Sequence, residues 1–437
     1  LKQWCKELNI NLENDIAYMG DDINDIEVLE NVSISGCPKE AHKNVLNICD
    51  FVSSKDGIDI YKSIQSDLIL KSQNKTIFLP EGHFNISRSL WAENLNNVII
   101  QGQGIDKTIL NFEFQVEGSE GLKIINSKNI VLKDFTIQNS VGDLIKIEDS
   151  QNVHLLNIKA EWTDGPKESN GSYAIYPVKT EDIIIDKCIA IGASDAGIYV
   201  GQSKNIIVKN SEAYNNVAGI EIENSTNADV YNNYTHDNTG GILVFDLPDL
   251  LVKKGEKIRV FNNLVLENNL SNFAPEGNIV AKVPSGSGIM ILATSKVEIF
   301  NNIIFENKTA NISIVSYFIT EEPISDSLYY PYPTSIFIYD NIFKRSKQFP
   351  SFSFNQPIGF LLTYYYWRDI PNIIYDGIID SELLGENSFM KDEYRICVKD
   401  NINSSIANLD AGNNFLNINS DKVYFECELE KLEPVIL

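Results

Sequence analysis

Methionine (3) and histidine (4) are scarce in this chain, and alanine-rich helical stretches are missing. No apolar run approaches the roughly 20 residues a bilayer-crossing helix needs, so no membrane span is expected. Six cysteines occur, Cys5, Cys37, Cys49, Cys188, Cys397 and Cys427, and none has the close pairing of a zinc site. The first three are expected as reduced, buried thiols. Cys397 and Cys427 flank a strand-rich stretch and would pair in an exported protein. There is no GxSxG elbow, P-loop or nicotinamide fingerprint, and the GQG at 102–104 reads as a turn between strands. Basic residues number 36 against 60 acidic ones, a net charge of −24. That field repels nucleic acid and anionic lipid, so neither is an expected partner. An acidic sugar polymer would need a local basic row or a bound cation.

What the chain has in quantity is isoleucine, asparagine and a period. Segments beginning at Gly197, Gly219, Gly241 and Gly288 align without gaps, and the first two steps are each 22 residues. Leu122 and Leu144 open earlier copies whose central asparagines, Asn129 and Asn152, are 23 residues apart, and Ala174 continues the pattern after an insertion. Each copy holds three short runs that alternate apolar and polar, which is strand periodicity. The expected fold is all-β: a right-handed parallel β-helix of 22–23-residue coils. Ile198, Ile220, Ile242 and Ile289 should form one interior ladder, with Val200, Ile222, Val244 and Ile291 beside it. Asn210, Asn232, Asn262 and Asn301 recur at a bend and are expected to stack as an amide ladder. Ile60, Tyr61, Ile64 and Leu68 have helical spacing and predict an amphipathic N-terminal cap over the open solenoid end. The last regular coil is expected at 336–341, with an irregular cap beyond. The domain reading is 1–56 as a small α/β fragment, 57–345 as β-helix and 346–437 as cap and tail.

Two resemblances follow from longer motifs. ASDAGIYVGQS (193–203), VAGIEIENS (217–225), NTGGILVFDLP (238–248), NFAPEGN (272–278), ANLDAGN (407–413) and FECELEKLEPV (425–435) resemble an exported bacterial family of parallel β-helix repeat proteins in the pectate-lyase-like superfamily. That resemblance implies a fold and a periplasmic or extracellular location, but no reaction. No signal-peptide pattern is present in the sequence as given, so as written a cytoplasmic location is the alternative. IAYMGDDINDIEVL (16–29) and the following ISGCPKEAHKNVLNICDFVSSKDG resemble the C-terminal end of haloacid-dehalogenase-type phosphatases acting on 3-deoxy-manno-octulosonate phosphate or related sugar phosphates. The resemblance implies a Mg²⁺ site at Asp21 and Asp22, supported by Asp25, because hard cations take carboxylate oxygens. The family's nucleophile motif is not in this sequence, so the fragment is expected to be inactive. The two parts read as a fusion at about 54–57.

Chemistry is expected on the outward row of the first strand of each coil: Lys123, Lys146, Tyr176, Tyr199, Glu221, Leu243 and Met290. Lysine would neutralise a sugar carboxylate, tyrosine or lysine would take a ring proton, and an acid would serve the leaving group. The plain alternative is a solvated strand face. The adjoining turns contribute Asp195, His236 and Asp237, where a His–Asp pair would act as base and orienter or as metal ligands. An insertion at 161–173 adds Trp162, Asp164, Lys167 and Glu168, and further insertions at 248–257 and 272–287 are expected to overhang the same side. The leading expectation is a lyase or carbon-5 epimerase of a uronic-acid polysaccharide, with Lys146, Tyr199, Glu221, His236 and Asp237 catalytic. Lys123, Tyr176, Asp195, Trp162, Asp164 and Lys167 would bind substrate, with Ca²⁺ as a candidate groove ion. The alternatives are a non-catalytic module binding a glycan or protein and an inactive phosphatase remnant. Oligomeric state is left open.

Overall fold

A computed structural model describes residues 5, 10–38, 41–53, 57–353, 357–385 and 390–437. The chain divides into two compact units, 1–64 and 65–437.

The first unit has a three-stranded parallel sheet of Ala17–Met19, Ile34–Pro38 and Phe51–Ser53. Leu29, Cys37, Ala41 and Val45 form its small core. The helix expected before the solenoid is present as Gly57–Leu70. Within the second unit its residue Gln65 exchanges two hydrogen bonds with the Trp91 backbone, at 2.7 and 2.9 Å.

The second unit is a right-handed parallel β-helix. Its first sheet has eleven strands, from Arg88–Glu93 through Ala196–Gly201, Ala218–Glu223, Gly240–Phe245 and Ser287–Leu292 to Ile406–Asn408. The remaining strands form the second and third faces. The ladders stack in the expected register: Ile198 on Ile220, Ile242 and Ile289, and Val200 on Ile222, Val244 and Ile291. All eight are buried. A β-carbon on the recurring glycine would collide with the next coil. At Gly219 it would lie 2.6 Å from the Gly241 carbonyl oxygen and 2.9 Å from the Asn238 amide nitrogen.

The expected asparagine stack is present at one step, where Asn232 donates to the Asn210 side chain at 3.4 Å, and the continuous amide ladder stands one residue further on. Asn210, Asn232, Asn262 and Asn301 are turn residues with φ of 50–55°, a conformation asparagine tolerates. The residues that follow three of them point inward. Asn233, Asn263, Asn302, Asn341 and Asn401 form a chain in which each backbone N–H donates to the next side-chain oxygen, at 2.9–3.0 Å. A second ladder, Asn216, Asn238, Asn268 and Asn307, runs beside the first sheet. The solenoid also continues beyond 345: Thr334–Tyr339 pairs with Ile396–Lys399, and Ala310–Val315 pairs with Ile373–Tyr375. The segment between carries the helix Ile358–Tyr366. Cys397 and Cys427 form a disulfide, while Cys5, Cys37, Cys49 and Cys188 are free.

Candidate functional site

Strand alternation puts Trp91, Lys123, Lys146, Tyr176, Tyr199, Glu221, Leu243 and Met290 in one outward row of the first sheet. Beside it runs Glu93, Ile125, Glu148, Val178, Gly201, Glu223, Phe245 and Leu292. Burial cuts both rows in two. Trp91 is 41% exposed, and Lys123, Lys146 and Tyr176 are half-buried. Glu221 is only 1% exposed, and Tyr199, Leu243 and Met290 are buried with it.

The insertions cause the difference. Val280 and Val283, from the 272–287 insertion, and Tyr317 and Tyr329 form an outer core with Tyr199, Leu243, Phe245 and Met290. The segment 316–333, unforeseen in the sequence, completes that cover. Tyr329 donates to the Asp246 carbonyl at 2.5 Å, Ser325 donates to Asp249 at 2.9 Å, and Lys253 pairs with Asp326. These insertions therefore cover the row over Tyr199, Glu221 and Leu243, and toward Met290 they leave a cavity of about 440 Å³ lined by Phe245, Met290, Leu292 and Val315.

At the border of the two halves lies a tyrosine–carboxyl cluster. The rings of Tyr173, Tyr176 and Tyr199 meet with centroids 4.4, 4.5 and 5.0 Å apart. Tyr199 donates to Glu223 at 2.6 Å and Tyr173 to Asp195 at 3.3 Å. Gly201 makes the first bond feasible, since a β-carbon there would stand 2.2 Å from the Tyr199 hydroxyl. One carboxylate oxygen of Glu221, Oε2, is buried without a hydrogen-bond partner. Burial pushes the Asp195 carboxyl up to about 8, and that of Glu223 to about 7 against its bond from Tyr199. Burial also raises Glu221 well above the carboxylate range. These groups therefore hold protons near neutrality. All three tyrosines are held in the protonated form by burial.

The open half has a different balance. Burial raises Asp143 to about 6, opposed by nearby Lys146, and its carboxylate accepts from the Tyr173 backbone at 3.2 Å. Lys123 pairs with Glu120 at 3.3 Å and Lys179 with Glu148 at 3.1 Å. Lys146 lies over the Tyr176 ring at 4.9 Å, and it is in no ion pair among the described residues. An aromatic surface, an unpaired cation and a carboxylate that titrates near neutrality therefore share one accessible strip.

Several expected site residues lie elsewhere. His236 is on the third face, stacked on Tyr214 and Tyr234 with centroids 5.0 and 4.1 Å away. Its ring nitrogens face Asp237 at 2.7 Å and Glu212 at 3.1 Å, and no hydrogen bond or ring contact among the described residues joins it to the row. Trp162 is a buried support, donating to the Ser140 carbonyl at 2.9 Å. Asp164 and Lys167 pair with each other on the surface at 2.8 Å. Among the described residues no three His, Cys, Asp or Glu side chains are grouped to hold a metal. In the N-terminal unit, Asp25 accepts from the Tyr18 hydroxyl at 2.9 Å and from the Asp21 and Asp22 backbones at 3.0 and 3.2 Å. Asp22 caps Ile23 at 2.6 Å. The two carboxylates thus bind the loop itself. Trp91, Asp143, Tyr173 and Glu223 were missed in the sequence. Trp91 and Glu223 follow from extending the same alternation, whereas Asp143 and Tyr173 precede the regular part of their strands.

Residues 168–321 match the family described as right handed beta helix region, and residues 1–59 match the haloacid dehalogenase-like hydrolase family. Among solved structures, the chain is similar to the A-module of a mannuronan C-5 epimerase from Azotobacter vinelandii. That match has 14% identity, covers 81% of this chain and 92% of the other, and has a TM-score of 0.49. It is similar to a surface protein and adhesin of Streptococcus pneumoniae at 11% identity, with coverage of 74% and 85% and a TM-score of 0.47. A third similar structure is the DFA-IIIase of Arthrobacter chlorophenolicus A6, at 11% identity, with coverage of 80% and 88% and a TM-score of 0.42. No helix among the described residues is long and apolar enough to cross a membrane.

Proposed function

We propose that the open half of the first sheet binds a glycan containing uronic acid and acts on it as a lyase or carbon-5 epimerase. The observation that carries this reading is Lys146, a half-buried cation with no ion pair among the described residues, beside Tyr176 and near Asp143. Lys146, with Lys123, would neutralise the sugar carboxylate and so acidify the proton on carbon 5. Asp143, largely ionised above pH 6, would accept that proton. Tyr173 or Tyr176, held protonated, would donate to the leaving oxygen or to the opposite ring face. Trp91 offers a ring on which a neighbouring sugar stacks. The roles first expected for Tyr199, Glu221 and His236 pass to these accessible groups.

The test is incubation of the full chain with alginate, pectate and glucuronan, with and without calcium, following unsaturated-product absorbance and proton exchange at carbon 5. Signal that is lost in Asp143→Asn supports the reading, and silence with every polymer contradicts it. A specific observation favours a second reading, a non-catalytic glycan-binding module: burial removes two of the expected catalytic groups, Tyr199 and Glu221, from any ligand. Binding without turnover would select it. The Cys397–Cys427 disulfide supports an oxidising, periplasmic or extracellular setting. The N-terminal unit is read as inactive alone, and phosphatase turnover by this chain would contradict that.

A further inference from the structure

On the insertion between strands Ile342–Lys344 and Ile373–Tyr375, large aromatic side chains stand in solvent. Phe349 is 37% exposed, Phe352 50% and Trp367 66%. They form a group: Trp367 meets Phe349 edge-on at 5.0 Å, and Phe352 lies 6.1 Å from Phe349. Trp367 ends its helix at φ 57° and ψ −106°, a backbone conformation that a bulky residue rarely keeps without surrounding support.

Phe349 and Phe352 line a cavity of about 740 Å³ together with Lys308, Gln348, Asn272 and Arg368. Among the described residues no acidic side chain lines it, in a chain whose net charge is −24. Among the described residues neither Lys308 nor Arg368 has a carboxylate within ion-pair distance; the Arg368 guanidinium lies over the Phe349 ring at 5.6 Å. Asp237, Glu267 and Glu306 line the adjoining cavity, which shares Lys308 and Gln348 with this one. Glu306 accepts from Gln348 at 3.0 Å, and Asp369 pairs with Lys347 at 2.6 Å.

We infer that this cavity is a second glycan-binding site, separate from the first-sheet groove, that takes an acidic sugar unit. The fork of Arg368 and the ammonium of Lys308 match a sugar carboxylate, while Phe349 and Phe352 offer apolar ring faces to the pyranose. Its volume suits a small oligosaccharide unit, and the overall acidic field disfavours an anionic lipid surface. The site stands on its own charges and does not depend on catalysis in the groove.

Calorimetric titration of the full chain tests it, using tetragalacturonate, tetramannuronate and neutral cellotetraose, in a Lys146→Gln background that weakens the groove. At least one acidic tetramer should still bind. Arg368→Gln should weaken that binding about tenfold, the loss expected for one charge-assisted hydrogen bond. Arg368→Lys should recover part of it, and cellotetraose should bind at least tenfold more weakly than the acid, on the same grounds. Arg368→Gln in the otherwise unchanged chain should leave any reaction of the groove at its original rate. An unaltered melting temperature in each variant shows that the fold is intact. Equal affinity for neutral and acidic tetramers, Arg368→Gln titrating like its parent, or complete loss of binding on Lys146→Gln alone would each overturn the proposal. So would self-association abolished by Phe352→Ala in a chain that binds no tetramer, since the surface would then serve contacts between copies.

Discussion

The two halves of the first sheet share one register and one alternation, yet they have opposite fates. From Trp91 to Tyr176 the outward row meets solvent; from Tyr199 to Met290 it lies under the chain's own insertions. Strand periodicity decides which way a side chain points. What lies above it is decided by segments outside the repeat. The covered half is largely an additional core, and the open half is the accessible face on which glycan binding is proposed.

The largest expected effect sharpens that contrast. Leu243→Ala, in the covered half, should cost about 2–5 kcal/mol in urea unfolding, as for other buried leucines. A cost below that range would mean that the insertions do not pack as a core. Next, Asn268→Ala removes an acceptor from the Asn238 backbone and amide, bonds of 3.4 and 2.9 Å. Leaving those buried donors unsatisfied should cost about 1–3 kcal/mol by the same measurement. Asn301→Ala, at the outer turn, should cost less than that.

The border between the halves should show in pH dependence. Asp195, Glu221 and Glu223 have folded pKa values raised above the ordinary 3.8 and 4.5, to about 8 for Asp195 and about 7 for Glu223. Between the ordinary and raised values the folded chain binds more protons than the unfolded one, so stability falls as pH rises. The urea midpoint should therefore be higher at about pH 5 than at about pH 8. Asp195→Asn with Glu223→Gln should flatten that slope, and an unchanged slope would count against the cluster as its source. The smallest stability effect belongs to the open half. Lys146→Gln should change stability by less than about 0.5 kcal/mol while weakening glycan binding about tenfold.

Much of this fold was legible because a solenoid repeats its evidence. The glycine and isoleucine positions recur at a fixed interval, so each coil repeats the register of the one before. The asparagine ladder was displaced by one residue because the motif carries two adjacent asparagines, and composition does not say which adopts the left-handed turn. Asn232 turns, and Asn233 ladders. The site was less legible. Lys123, Lys146 and Tyr176 were found from alternation alone, but the cover over Tyr199 and Glu221 came from 272–287 and from 316–333, which lack the period. His236 closely precedes the first-sheet strand Gly240–Phe245 in sequence, which suggests a turn beside the groove, whereas its own strand belongs to the third face.

The most direct measurement is the position of a bound uronate tetramer in a crystal of the full chain. Density along Trp91, Lys123, Lys146 and Tyr176, with the sugar carboxylate at Lys146, is the predicted result. A tetramer bound over Glu221 and Leu243 with the insertions displaced, or no density on the first sheet at all, would contradict the division of that sheet into an open working half and a covered structural one.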